Sequence, residues 1–144
     1  MTHADKDKYF QKHPDKTIAA DILRQDILQK VKDNHMSCAV AEEIARVRQV
    51  SLKEAGVALD LLNVNIVECQ LGLFGYSPQK KIVQPALKIA SSLKDEIQKA
   101  LVGGRLPCAA AWEIARKLKL PRMRVSAACE ALQIKIKPCQ LGAF

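Results

Sequence analysis

Aromatic side chains are scarce in this 144-residue chain, which has one Trp, two Tyr and three Phe. Its core must therefore be built from Leu, Ile, Val and Ala, and the composition gives no hint of an aromatic-lined ligand pocket. Long apolar runs are absent as well. No stretch approaches the roughly 18 residues of a membrane span, and the first residues are too polar for a secretory signal. The expectation is a cytoplasmic protein with no membrane partner. Cys-x-x-Cys pairs are missing too. The five cysteines, odd in number and set inside expected elements, read as reduced thiols and not as a disulfide framework. There is no Ser-His-Asp set, no carboxylate pair and no glycine-rich phosphate loop. Gly103-Gly104 lacks both the lysine and the preceding strand that such a loop needs. Catalysis is not expected, and neither is a cofactor.

What the chain does have is positive charge, concentrated toward one end. The formal net charge is +8. Residues 1–21 sum to zero, 22–74 to −1, 75–91 to +3 and 92–144 to +6. Attraction for a polyanion therefore belongs to the connector and the second copy, residues 75–144. The alternative is that this charge merely keeps a surface soluble.

The chain is also a duplication. Shifted by 70 positions, Cys38-Ala-Val-Ala-Glu-Glu-Ile-Ala-Arg46 falls on Cys108-Ala-Ala-Ala-Trp-Glu-Ile-Ala-Arg116, and Cys69-Gln-Leu-Gly-Leu-Phe74 on Cys139-Gln-Leu-Gly-Ala-Phe144. The ungapped pairing runs from Leu23/Leu93 to Phe74/Phe144 with 17 identities in 52 pairs. A fixed period with coincident small and apolar positions marks a repeated structural unit. Each copy has about 50 residues, a size at which a lone domain is marginal. The copies are expected to pack on each other as one pseudo-symmetric body: a polar arm at 1–16, repeat 1 at 17–75, a connector at 76–85 and repeat 2 at 86–144.

Within the arm, His3 and His13 have no Cys or carboxylate pattern around them and give no metal site. From Thr17, with Thr17 or Asp15 as N-cap, the spacing of Ile18, Ile22, Leu23, Ile27 and Val31 predicts a helix that Asn34-His35 closes. Ser37 opens a second helix to about Arg48. Ser51-Leu-Lys-Glu54 has the spacing of a capping box and opens a third, to about Asn63. Val64–Val67 reads as a short strand, and Cys-Gln-Leu-Gly as the tight turn that ends it, with Phe74 and Phe144 covering the core. The second copy predicts helices from about Ala86 to Val102, from Pro107 and from Pro121, then a strand at Ile134-Lys-Ile-Lys137 with isoleucines inward and lysines outward. The two strands are expected to pair with each other across the copies. The fold class is thus mainly α: two repeats, each of three helices plus a short strand.

Glu43-Ile-Ala-Arg-Val-Arg-Gln-Val-Ser51 through Ala58, and Glu113-Ile-Ala-Arg-Lys-Leu-Lys-Leu-Pro121 through Ala128, resemble the helix-turn-helix family of DNA-binding domains in its winged-helix form. In that family a small residue packs one helix on the next, matched by Ala45 and Ala115. An apolar residue after the turn is matched by Val50 and Leu120, and a cap by Ser51 and Pro121. The turn position usually held by Gly carries Gln49 and Lys119, so either a left-handed residue costs about 1 kcal/mol there or the turn has another shape. The resemblance implies that the third helix of a repeat enters the major groove. It places Arg122, Met123, Ser126 and Ala127 at base edges with Arg124 nearby, and Lys117, Lys119, Lys135 and Lys137 at phosphates.

The matching face of repeat 1, Leu52, Lys53, Gly56 and Val57, is mostly uncharged. It suits contact with a protein partner or a homodimer. Small residues on both third helices (Ala55, Gly56, Ala58; Ser126, Ala127, Ala128) also allow these helices to pack closely and be hidden. Trp112, in place of Glu42, either fills the junction between the copies or docks a partner. Cys38, Cys69, Cys108 and Cys139 recur at matched places. Four thiolates together would bind zinc or an iron–sulfur cluster, while buried packing is the simpler role. The functional expectation is a transcriptional regulator that binds duplex DNA mainly through repeat 2. The alternatives are a protein-interaction module without nucleic-acid binding, or an RNA-binding protein.

Overall fold

The computed structural model describes residues 14–143. Residues 1–13 of the expected arm, with His3 and His13, lie outside the described residues, and so does Phe144. Among the described residues the chain is mainly helical, with six helices and one two-stranded parallel sheet. It divides into two compact units, 1–66 and 67–144. Cys69–Phe74, the end of the first copy in the duplication, thus counts with the second unit.

In the first unit α1 spans Pro14–Lys30. It starts ahead of the expected caps Asp15 and Thr17, because proline's fixed φ and missing N–H suit the first helical position. A two-residue turn follows, with Asp33 and Asn34 at φ 51° and 62° and Lys32 and His35 exchanging backbone hydrogen bonds. Strand β1, His35–Ser37, leads into α2, Cys38–Arg48, where the Ser37 hydroxyl accepts the Val40 N–H. Helix α3, Leu52–Leu61, opens at Ser51, whose hydroxyl accepts the Glu54 N–H at 3.0 Å. One side of the expected capping box is therefore formed, satisfying a donor that the helix itself leaves without a partner. The buried stripe of α2 is Cys38, Ala41, Ile44 and Ala45; that of α3 is Ala55, Gly56, Ala58 and Leu59. Small residues on both stripes let the helix backbones approach. Full burial of Ile27 and Leu59 contributes about 1.5–3 kcal/mol each. Strand β2, Asn65–Val67, pairs with β1.

In the second unit α4 is Ser91–Ala100, α5 Cys108–Leu118 and α6 Arg122–Ala131. The expectation of a helix from Ala86 fails at its first residues. The Ala86 N–H donates to the Ala127 carbonyl instead of entering a helix, and Leu87 is fully exposed. Gly103 and Gly104, at φ 59° and 78°, turn the chain between Val102 and Arg105. Leu71, Leu93, Ile97, Leu106, Ile114, Val125 and Ile136 form the aliphatic core that the composition demands.

Two expectations are corrected. The segment 134–137 forms no strand, only an isolated bridge at Ile136, and so the expected strand pairing with 64–67 is not made. Leu106 takes the place of 64–67, donating to Lys135 O at 2.9 Å and accepting from Lys137 N at 2.8 Å, while β2 pairs with β1. Each segment thus bonds to the stretch just ahead of the middle helix of its own copy, the shortest loop that yields a parallel pair around two helices. The connector 76–85 is hydrogen-bonded within the second unit. The Ile82 and Val83 N–H groups donate to Gly72 O, Tyr76 Oη donates to Cys69 O at 2.5 Å, and Val83 is buried. Gly75 makes this return possible: at φ 84°, an added Cβ would stand 2.5 Å from Glu68 N.

Candidate nucleic-acid interface

The turn on which the site depends is left-handed in both units. Gln49 has φ 55° and ψ 40°, Lys119 φ 57° and ψ 45°, and each donates its N–H to the carbonyls of the helix it ends. The next residue closes the cap. Val50 N donates to Ala45 O at 3.0 Å and Leu120 N to Ala115 O at 2.8 Å. Two capped carbonyls outweigh the cost of about 1 kcal/mol for a side chain at positive φ. The alternative turn shape is thereby removed.

The side chains expected to meet DNA fall into two groups. Lys119, Arg124, Lys135 and Lys137 are exposed, and none has a hydrogen-bonded or ion-pair partner among the described residues. Lys119 lies in the turn, Arg124 in the first turn of α6, and the two other lysines are exposed in segment 134–137, alternating with half-buried Ile134 and buried Ile136. Lys117 is also exposed but donates to Glu96 Oε1 at 3.0 Å, and Arg116 is bound to Glu113 on the same helix. Those guanidinium and ammonium groups hold the Glu113 and Glu96 carboxyls below the ordinary carboxylate value.

The second group is covered. The Arg122 guanidinium lies 3.7 Å from the Trp112 ring centroid and donates from Nη1 to Gln70 Oε1 at 2.8 Å. Met123 is half-buried against Gly72, where an added Cβ would meet its Cε at 3.1 Å. Ala127 is half-buried, and its carbonyl takes the Ala86 N–H at 3.0 Å. Ser126 is completely buried, with an Oγ that finds no partner among the described residues. Its place at a base edge is a correction, for the small side chain serves close packing of α6. Segment 70–86 lies over this face, a tertiary covering with no signature in α6 itself. The repeated Cys-Gln-Leu-Gly was its one sequence trace. Gln70 of that motif bonds Arg122, and the turn forms with Gly72 N donating to Cys69 O and Gly142 N to Cys139 O.

Trp112 is half-buried and packs on the core of the second unit, with its indole N–H enclosed and lacking a partner among the described residues. In the first unit Leu52 and Val57 are half-buried, while Gly56 is buried and offers no surface to a partner, a second correction. The thiols of Cys38, Cys69 and Cys108 are buried and that of Cys139 half-buried. No group of three or more metal-ligating side chains stands together among the described residues. Burial pushes the Cys69 thiol up, and burial with the neighbouring Glu130 charge pushes Cys129 up to about 12, so both are held as neutral packing groups. No helix among the described residues is long and apolar enough to cross a membrane. No protein-family model matches the chain, and no curated protein or solved structure matched it either.

Proposed function

We propose that this chain is a DNA-binding protein of two helix-turn-helix repeats, acting in transcriptional regulation and holding duplex DNA mainly through phosphate contacts from the second repeat. The observation that carries this reading is the set of four exposed, partnerless cations, Lys119, Arg124, Lys135 and Lys137. The matched left-handed turns, and second and third helices whose ranges coincide at a 70-residue spacing, support descent of both repeats from one winged-helix-like unit. Base reading by Arg122, Met123 and Ala127 would require segment 70–86 to leave α6. The contacts available without that movement go to the backbone and carry little sequence preference. Reduced thiols fit a cytoplasmic protein, and we assign no catalytic role and no cofactor.

A second reading is a protein-interaction module on the same scaffold, with repeat 1 serving dimerisation or a protein partner. The covered face of α6 favours it. Anisotropy titration of a labelled random duplex separates the two. Four phosphate contacts give a salt slope of about −3.6, a loss of about 10²-fold between 50 and 200 mM salt. Absence of binding at 50 mM salt would remove the DNA reading. Preference for a structured RNA of equal length would move the assignment to RNA.

A further inference from the structure

The second unit contains a groove of about 750 Å³, bordered by Lys135 and Lys137 but by neither Lys119 nor Arg124. One wall is the chain from Gln133 to Lys137; the other includes Leu73, Phe74 and Lys81. Segment 134–137 makes one bridge, between Ile136 and Leu106, and Ile134 N donates to Cys129 O at 2.9 Å. Leu106 takes Lys135 O and Lys137 N, so by the alternation of strand hydrogen bonding the N–H and C=O of Ile136 point to the opposite edge. Ile136 makes no backbone hydrogen bond there among the described residues. Ile136 itself lines the groove, while Leu106 does not.

An open edge beside apolar walls is the arrangement that receives an added strand. Its charge selects the occupant. Among the described residues, Lys135 and Lys137 border the groove without partners, while the one carboxylate side chain on it, Glu130, is held by Lys81 Nζ at 2.5 Å. A strand with apolar residues facing Leu73, Phe74 and Ile134 and acidic residues at alternate positions fits both walls.

We propose that this groove binds an extended acidic segment of a partner protein, which adds as a strand to the edge at Ile136, with its carboxylates on Lys135 and Lys137. The inference does not rest on the DNA reading, since the edge and the test involve no nucleic acid, but the two occupants share Lys135 and Lys137.

The test uses the full chain and an end-blocked, fluorescein-labelled heptapeptide, Glu-Val-Glu-Val-Glu-Val-Glu, measured by anisotropy without DNA. Controls are the Lys-for-Glu peptide and a peptide N-methylated at alternate residues, which lacks the donors a strand needs. The acidic peptide should bind at least about tenfold more tightly than either control, the size expected for two backbone hydrogen bonds and two charge contacts. Lys135→Glu/Lys137→Glu should remove that preference, and because both side chains are exposed the variant should keep the helical circular dichroism and melting temperature of the wild type. Equal binding of the acidic and basic peptides overturns the proposal, as does an unchanged affinity in the double variant. Equal binding of the N-methylated peptide would reduce the site to charge attraction alone and overturns strand addition.

Discussion

Position for position, Lys119, Arg124, Lys135 and Lys137 of the second unit stand where the first has Gln49, Glu54, Asn65 and Val67. Arg122 and Trp112 stand where it has Leu52 and Glu42. The buried positions show the opposite behaviour. Leu23 and Leu93, Ile27 and Ile97, Ala41 and Ala111, Ile44 and Ile114, and Ala45 and Ala115 are identical and buried in each. Both copies keep the residues that fill the angle between helices, where a methylene more or less is felt directly. Their surfaces are free to part. The difference teaches that a shared scaffold carries two surface chemistries, one basic and one near-neutral, and function is to be sought where the copies differ.

The comparison can be broken most forcefully in the cores. Ile27→Ala and Ile97→Ala remove matched, fully buried side chains, and each should cost about 2–5 kcal/mol in urea unfolding. If the two units rely on their cores alike, the two losses agree within about 1 kcal/mol. A loss at one position alone would show that only that unit is limited by its core. A smaller effect is expected at the helix entries, where the units differ. The Ser51 hydroxyl caps α3, whereas α6 begins at Pro121 with no side-chain cap. Ser51→Ala should therefore cost about 1 kcal/mol.

Much of this scaffold is legible in the residues. Ala and Ile at helical spacing, Ser37 and Ser51 ahead of their helices, and the tight turn in Cys-Gln-Leu-Gly all act locally, and the structure follows them. What is not legible is set by distant partners. Ala86–Ala90 contains good helix formers, but the Ala127 carbonyl takes the Ala86 N–H. Ile134–Lys137 alternates like any strand, and its period says nothing about whether Leu106 or another strand lies beside it. Arg122 shows the same limit at the candidate site. Its place at the start of α6 was visible in the sequence, while its engagement by Trp112 and Gln70 depends on residues 10 positions before it and 52 before it.

The turns sharpen the comparison further. Gln49→Gly and Lys119→Gly remove the same strain at nearly the same φ and ψ, so each should stabilise its unit by about 0.5–1 kcal/mol in thermal melts. A gain at only one would show that the turns differ in the cost of their left-handed residue. The smallest effect concerns two ion pairs whose carboxylates are at matched places, Asp26 with Arg48 and Glu96 with Lys117, although Lys117 itself matches Val47. Hydrogen bonding to the cation holds both carboxyls below their ordinary values. The contribution of each pair is therefore fully present above about pH 4.5 and is lost as the pH falls through the lowered value. The difference in melting temperature between wild type and Asp26→Asn, or Glu96→Gln, should be small at pH 6 and should shrink as the pH falls through the lowered values. A gap that widens on acidification would contradict the direction of both shifts.

The most direct test of the account compares matched surfaces in one assay. Duplex-DNA binding is titrated over 50–200 mM salt for wild type, for Lys119→Ala/Arg124→Ala and for the matched Gln49→Ala/Glu54→Ala. The account predicts that the second-unit variant loses affinity and flattens the salt slope by about two, while the first-unit variant leaves the slope unchanged. Equal slopes in all three proteins would contradict the claim that the second unit holds the DNA.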